Sequence, residues 1–140
     1  TRSRRRIESG TGRSMAVLVD SSLWVHQLRR RGEPARRAQV EALLQSGTAC
    51  WCPPVRLELW RGVSGDAERR ALEQFDLLLL SHPITEAVWE LATRLAGRCR
   101  GAGITAPLAD LLVFACARVH DLQLAHDDDH FRQIAKLDAE

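Results

Sequence analysis

Short apolar runs alternate with longer helical stretches along most of this chain, and that alternation leaves few folds open to it. Ala16 to Val19 is apolar and stops at Asp20, where Ser21 and Ser22 follow and can cap a helix reaching about Arg30. Past Gly32 and Pro34, a second helix is expected from Ala35 to about Gln45, leading through Gly47 into a strand over Thr48 to Cys52. Pro53 and Pro54 end that strand and can open a helix, because the first helical turn tolerates proline. Glu58 falls in its first or second turn. Asp66 starts another helix, Leu77 to Leu80 reads as a buried strand, and Thr85 to Arg100 reads as a long amphipathic helix stopped by Gly101. Pro107 to His120 is expected as a helix, Leu122 to Ala125 as a strand, and about Asp129 to Ala135 as a last short helix. Strands alternating with helices predict an α/β fold with a central, mostly parallel sheet covered by helices on both faces.

The chain has 140 residues and 45% hydrophobic content, enough for one domain with its own core, assigned here to residues 15–140. No apolar stretch approaches the roughly 20 residues of a membrane helix, and no signal-peptide apolar region opens the chain, so the expected location is the cytoplasm. The formal charge of +2 is unevenly spread. Residues 1–14 carry five arginines against Glu8, a net of +4, which leaves −2 for the remainder. These fourteen residues read as an expression remnant or flexible basic leader, the alternative being a basic arm for nucleic acid or a partner. The acidic balance of the body gives no global support to nucleic-acid binding, which would have to use local patches such as Arg29, Arg30, Arg31, Arg36 and Arg37.

Four acids stand where one element gives way to the next: Asp20, Glu58, Asp110 and Asp128. Each has an ordinary explanation: Asp20 as a helix cap, Glu58 as a surface residue, Asp127, Asp128 and Asp129 as a solvated turn, and Asp110 as an acid favoured by the helix dipole. The helix after Pro107 sharpens the case of Asp110. Leu108, Leu111, Leu112, Ala115 and Val119 form one stripe, and Val113, Phe114 and Ala117 cover much of the rest, so the helix is expected to be buried with Asp110 at the edge of the core. In an open parallel sheet the residues just past the strand C-termini line one crevice, the usual ligand site. Two carboxylates about 4 Å apart repel by roughly 4 kcal/mol at an effective dielectric near 20, so acids converging there call for a cation. Oxygen ligands favour Mg²⁺, with Mn²⁺ as an alternative.

Other side chains carry weaker signals. Cys50, Cys52, Cys99 and Cys116 read as buried thiols. Cys50 and Cys52 share a strand face and His126 and His130 have helical spacing, so a zinc site is a further option. Trp24 and Trp89 extend apolar helical stripes and read as core or interface residues, while Trp60 lies near the expected site. No glycine-rich phosphate loop is present, and Asp20 is followed by two serines, which weakens a phosphohydrolase reading.

Four segments together resemble a known family: Ala16-Val-Leu-Val-Asp20-Ser-Ser-Leu-Trp24, Glu58-Leu-Trp-Arg-Gly62, Pro107-Leu-Ala-Asp110-Leu-Leu and Leu124-Ala-His-Asp-Asp128-Asp-His-Phe131. In this order they look like the motifs of PIN-domain proteins, specifically VapC-type ribonuclease toxins of toxin–antitoxin systems, from Met15 to about Ala135. The resemblance implies a PIN-like three-layer α/β/α fold. It also implies a Mg²⁺- or Mn²⁺-dependent endoribonuclease acting on structured RNA such as tRNA, a VapB-type antitoxin that silences it, and a homodimer. The residues so implied as catalytic and metal-binding are Asp20, Glu58, Asp110 and Asp128, supported by Ser22, with Asp127 and Asp129 as substitutes at the fourth position. Arg29, Arg30 and Arg31 are candidate RNA contacts, and Trp60 a candidate for the antitoxin groove or dimer surface. One departure stands out: many relatives carry a second Asp directly before the Phe, where this chain has His130, read as a surface residue or phosphate contact. That departure keeps open a different class, a catalytically weak PIN-like module for protein or RNA interaction.

Overall fold

The computed structural model describes residues 16–140, so the basic leader assigned to residues 1–14 lies outside the described residues. Among these residues, three short strands form one parallel sheet: β1 (Val17–Val19), β2 (Ala49–Cys50) and β3 (Gln123–Ala125), in the order β2-β1-β3. Val17 and Leu18 face Ala49 and Cys50 on one side, and Val17, Leu18 and Val19 face Gln123, Leu124 and Ala125 on the other. As the middle strand, β1 buries Leu18 and Val19 completely, which is why its run is continuously apolar. The chain leaves β1 to build β2 on one side and later returns to build β3 on the other, so the C-terminal end of β1 is a topological switch point.

Among the described residues, seven helices surround this sheet: α1 (Ser21–Leu28), α2 (Pro34–Gln45), α3 (Pro53–Arg61), α4 (Gly65–Leu78), α5 (Glu86–Gly101), α6 (Leu108–Val119) and α7 (Asp129–Ala139). Local chemistry starts them where expected. Asp20, extended at φ −76° and ψ 158°, accepts from the Ser22 amide at 3.0 Å and caps α1. Thr85 caps α5 through the Val88 amide, and Asp128 caps α7 through the His130 amide at 2.9 Å. Pro34 opens α2, and Pro53 opens α3.

Helix α6 is the central helix of the C-terminal half, packed against α3, α5, α7 and β3. Its buried residues, Asp110, Leu111, Val113, Phe114, Ala115, Cys116 and Ala117, match the nearly all-apolar surface read from sequence. A second cluster joins the sheet to α1 and α4: Trp24 and Phe75 rings stand 4.9 Å apart, and Trp51 meets Phe75 edge-on at 6.3 Å. The Trp24 indole N–H donates to the Val19 carbonyl at 2.8 Å, tying α1 back to the strand that precedes it.

One expected element is absent. Leu77 to Leu80 do not form a buried strand: α4 continues to Leu78, and Leu77, Leu78 and Leu80 are exposed. The helical period explains the difference, since Leu72, Phe75 and Leu79 occupy the inward face and the intervening leucines turn outward. All that survives of the strand is an isolated parallel bridge between Trp51 and Ser81. The last helix also runs longer than expected, to Ala139, because Ile134 and Leu137 continue the buried stripe begun by Phe131. Among the described residues no helix is long and apolar enough to cross a membrane.

Replacing Trp24 with Phe removes the buried hydrogen bond to Val19 and is expected to cost about 1–3 kcal/mol. Urea denaturation should show a lower midpoint with an unchanged slope; an unchanged midpoint would contradict the role given to this bond.

Candidate metal centre

The parallel strands deliver two acids to one edge. Asp20 directly follows β1 and is only 2% exposed, while the β3 chain continues through His126 and Asp127 to Asp128, the cap of α7. The Asp20 amide donates to the Ala125 carbonyl at 2.9 Å, holding the two strand exits side by side. Asp110 comes from a third direction, in the first turn of α6, and is 7% exposed. Asp20 and Asp110 are the buried charged residues among the described residues.

The side chains gathered here form a group that could hold a cation. The Asp20 Oδ2 accepts from the Ser22 amide, but its Oδ1 is buried without a partner. Such an orphaned carboxylate oxygen is costly unless something positive meets it. Burial, reinforced by the charges of Asp20 and Asp128, pushes the Asp110 carboxyl up to about 6 against the opposing pull of His130. Ligand atoms of Asp110, Asp128 and His130 all lie within 4.8 Å of one another. His130 Nδ1 stands 3.0 Å from Asp110 Oδ2 and 2.9 Å from Asp128 Oδ1. Three helix N-termini, those of α1, α6 and α7, carry these acids, so their dipoles offset part of the repulsion. Carboxylate oxygens, one of them buried and unsatisfied, beside an imidazole nitrogen make a donor set that fits a divalent cation.

The remaining sequence candidates are placed as follows. Glu58, in the second turn of α3, lies outside the closest group of ligand atoms, but its Oε1 accepts from the Ser21 hydroxyl at 2.9 Å, one residue from Asp20. Ser22 accepts through its hydroxyl oxygen from the Asp127 amide at 2.9 Å and so braces the β3–α7 connection against α1. Asp127 pairs with His26 at 3.2 Å and Arg36 at 3.1 Å, and Asp129 is exposed and pairs with Arg132. Of the three consecutive acids, Asp128 is the one set beside Asp110. Arg29, Arg30 and Arg31 are exposed beyond the end of α1, whereas Arg37 donates to the His26, Arg29 and Arg30 carbonyls and closes that helix. With Arg29 also 3.9 Å from Glu68 and Arg36 paired with Asp127, three of the five arginines in the basic patch have structural partners.

The zinc option does not form. Among the described residues, Cys50 and Cys52 join no group of ligands with His126 and His130. All four cysteines are buried, and burial pushes the Cys50 thiol up to about 11, keeping it protonated. Burial likewise lowers the His126 pKa, with Arg132 adding to the effect, and its Nδ1 accepts from the Asp128 amide at 3.3 Å.

Sequence reasoning placed His130 at the surface or on a phosphate; the structure brings it into the acid group. The available signal was its position two residues after a cap, where a side chain can fold back on the capping carboxylate. Trp89, expected in a core or an interface, is 55% exposed. It lines a groove of about 760 Å³ with Leu57, Ile84 and Leu112, and Glu58 lies on the same lining. Trp60 packs against the core with the Arg56 guanidinium 6.0 Å from its ring centre.

Residues 17–137 match the PIN-domain family model. The chain belongs to the PIN-domain family. No curated protein matches it. Among solved structures it is similar to a chain of VapBC2 from Rickettsia felis bound to a fragment of promoter DNA, with a TM-score of 0.70 and 17% identity over 84% of this chain and 92% of the other. It is also similar to FitAcB from Neisseria gonorrhoeae, at TM-score 0.66 and 18% identity, covering 86% and 93%. A third likeness, at TM-score 0.67 and 20% identity and covering 84% and 94%, is to Mycobacterium tuberculosis VapC20, a sarcin-ricin loop cleaving toxin. The resemblance read from the four acidic motifs is borne out by the family match and by the shared α/β fold.

The raised Asp110 pKa has a defined consequence for the metal-free PIN domain. Its folded-state value of about 6 lies above the ordinary 3.8, so the folded protein holds the proton more tightly, and ionising Asp110 costs stability as pH rises through that window. In EDTA, Asp110→Asn should be more stable than the parent at pH 7.5, by about 1–3 kcal/mol, with the difference shrinking below pH 4. Urea denaturation at both pH values checks this; a less stable variant at pH 7.5 would refute the assigned strain.

Proposed function

We propose that this PIN-domain protein is a metal-dependent endoribonuclease toxin acting on structured RNA such as tRNA, restrained by a VapB-type antitoxin. The observation that carries the reading is the buried Asp20 carboxylate oxygen without a partner, beside Asp110 and Asp128 at the sheet's switch point. Asp20, Asp110 and Asp128 would hold the divalent cation, Mg²⁺ or Mn²⁺, and Glu58 supplies a further carboxylate from α3, oriented by Ser21. When bound, such a cation activates water for attack on a phosphodiester and neutralises charge on the leaving oxygen.

The chain's own residues keep that site in order. Asp128 is fixed as the α7 cap, Asp20 as the α1 cap, and Asp110 by burial on α6, so all three are carried on helix starts packed into the core. Ser22 and the pair of His26 and Arg36 hold Asp127 aside, leaving Asp128 to the centre. Arg29, Arg30 and Arg31 offer exposed positive charge for an RNA backbone. The apolar groove lined by Leu57, Ile84, Trp89 and Leu112 fits an amphipathic antitoxin segment, and Glu58 at its lining would let such a segment reach the site. The VapBC and FitAcB assemblies among the similar folds favour that partner, and the RNA-cleaving activity of VapC20 favours the substrate class. Dimerisation of the chain belongs to the same proposal.

A second reading, an interaction module with weak catalysis, draws support from His130, which occupies the space between Asp110 and Asp128. Purified antitoxin-free protein incubated with total RNA and tRNA separates the two. The nuclease reading predicts discrete fragments with Mg²⁺ or Mn²⁺ and none with EDTA or with Asp20→Asn, a substitution that retains the capping oxygen and the fold. An active Asp20→Asn protein, or no cleavage of any RNA pool by the folded parent, contradicts it.

A further inference from the structure

His130 distinguishes this site from an all-carboxylate cage. It is the second residue of α7, and its ring folds back so that Nδ1 lies 2.9 Å from Asp128 Oδ1 and 3.0 Å from Asp110 Oδ2. Adjacent donors on an octahedral ion with bonds of about 2.1 Å are separated by about 3 Å, so both spacings match edges of such a polyhedron. Hydrogen bonds between the ring nitrogen and the carboxylate oxygens have the same length, so the same spacings accommodate either arrangement. The third observation is the buried, unpartnered Asp20 Oδ1, a fixed acceptor whose charge is felt at Asp110.

We infer that His130 is itself a metal ligand, and that its nitrogen tunes the centre toward a transition-metal dication of the Mn²⁺ class over Mg²⁺. The inference rests on the metal-site reading above and adds the selectivity of that site. Mg²⁺ is strongly hydrated and prefers oxygen donors in near-ideal octahedral geometry, whereas first-row transition dications accept imidazole readily. One nitrogen among several carboxylate oxygens therefore penalises Mg²⁺ relative to Mn²⁺. The ring is 37% exposed, so it can adjust to the ion, while the two carboxylates beside it are held by α6 and by the α7 cap.

Mn²⁺ binding to the purified protein, followed by electron paramagnetic resonance and by competition with Mg²⁺, tests this without reference to cleavage. The parent should show nitrogen hyperfine coupling on bound Mn²⁺. His130→Asp, which restores an all-oxygen set at a helix start that favours acids, should lose that coupling and reduce the Mn²⁺-over-Mg²⁺ preference about tenfold or more. His126→Gln should keep the coupling, because His126 is the other imidazole near these acids. Binding by the parent that is lost in Asp110→Asn, but with no nitrogen coupling, with coupling that disappears only in His126→Gln, or with an unchanged metal preference in His130→Asp, overturns the inference while leaving the metal-site reading intact. Absence of Mn²⁺ and Mg²⁺ binding by the parent overturns both.

Discussion

Like-charge repulsion among buried carboxylates is the constraint around which this structure is arranged. A carboxylate as buried as Asp20 or Asp110 loses most of its hydration, and placing Asp128 beside them adds to the cost. The fold tolerates the arrangement through fixed partial charges: each acid sits at the positive end of a helix, and Asp20 and Asp128 use one oxygen to cap it. These contacts leave Asp20 Oδ1 without a partner and Asp110 with a raised pKa. The remaining deficit is the kind that a divalent cation removes.

The sheet serves this end with very little strand. Its strands are two or three residues long, yet parallel pairing on both sides of β1 aligns the exits of β1 and β3. The buried Val19 carbonyl holds the Trp24 indole, so the helix capped by Asp20 is locked to the strand that delivers it. On the other flank, Ser22, His26 and Arg36 all grip Asp127, and that grip orients the following residue. Several polar residues near the site therefore act by positioning a neighbour.

Much of this was legible in the chain itself, because the informative signals were local. Asp20, Asp110 and Asp128 follow or open elements whose apolar patterns are clear, and parallel topology brings such positions together. The Leu77 to Leu80 run was not legible: four consecutive leucines satisfy a buried strand and the end of an amphipathic helix equally, and contacts of Leu72, Phe75 and Leu79 decided for the helix. Trp89 illustrates a finer limit, since an apolar helical stripe does not separate core from interface, and its exposure sets aside the core alone. His130 was misplaced because its role depends on a fold-back across the α7 cap toward a residue twenty positions away. Glu58 was expected among the acids, and its link to them through Ser21 crosses 37 residues that no local pattern connects.

A crystal grown with Mn²⁺ and measured at the manganese absorption edge tests the central claim most directly. The account predicts an anomalous peak at coordination distance from Asp20, Asp110 and Asp128. A well-ordered structure with these carboxylates in place and no peak among them, or with the ion bound elsewhere, would contradict it.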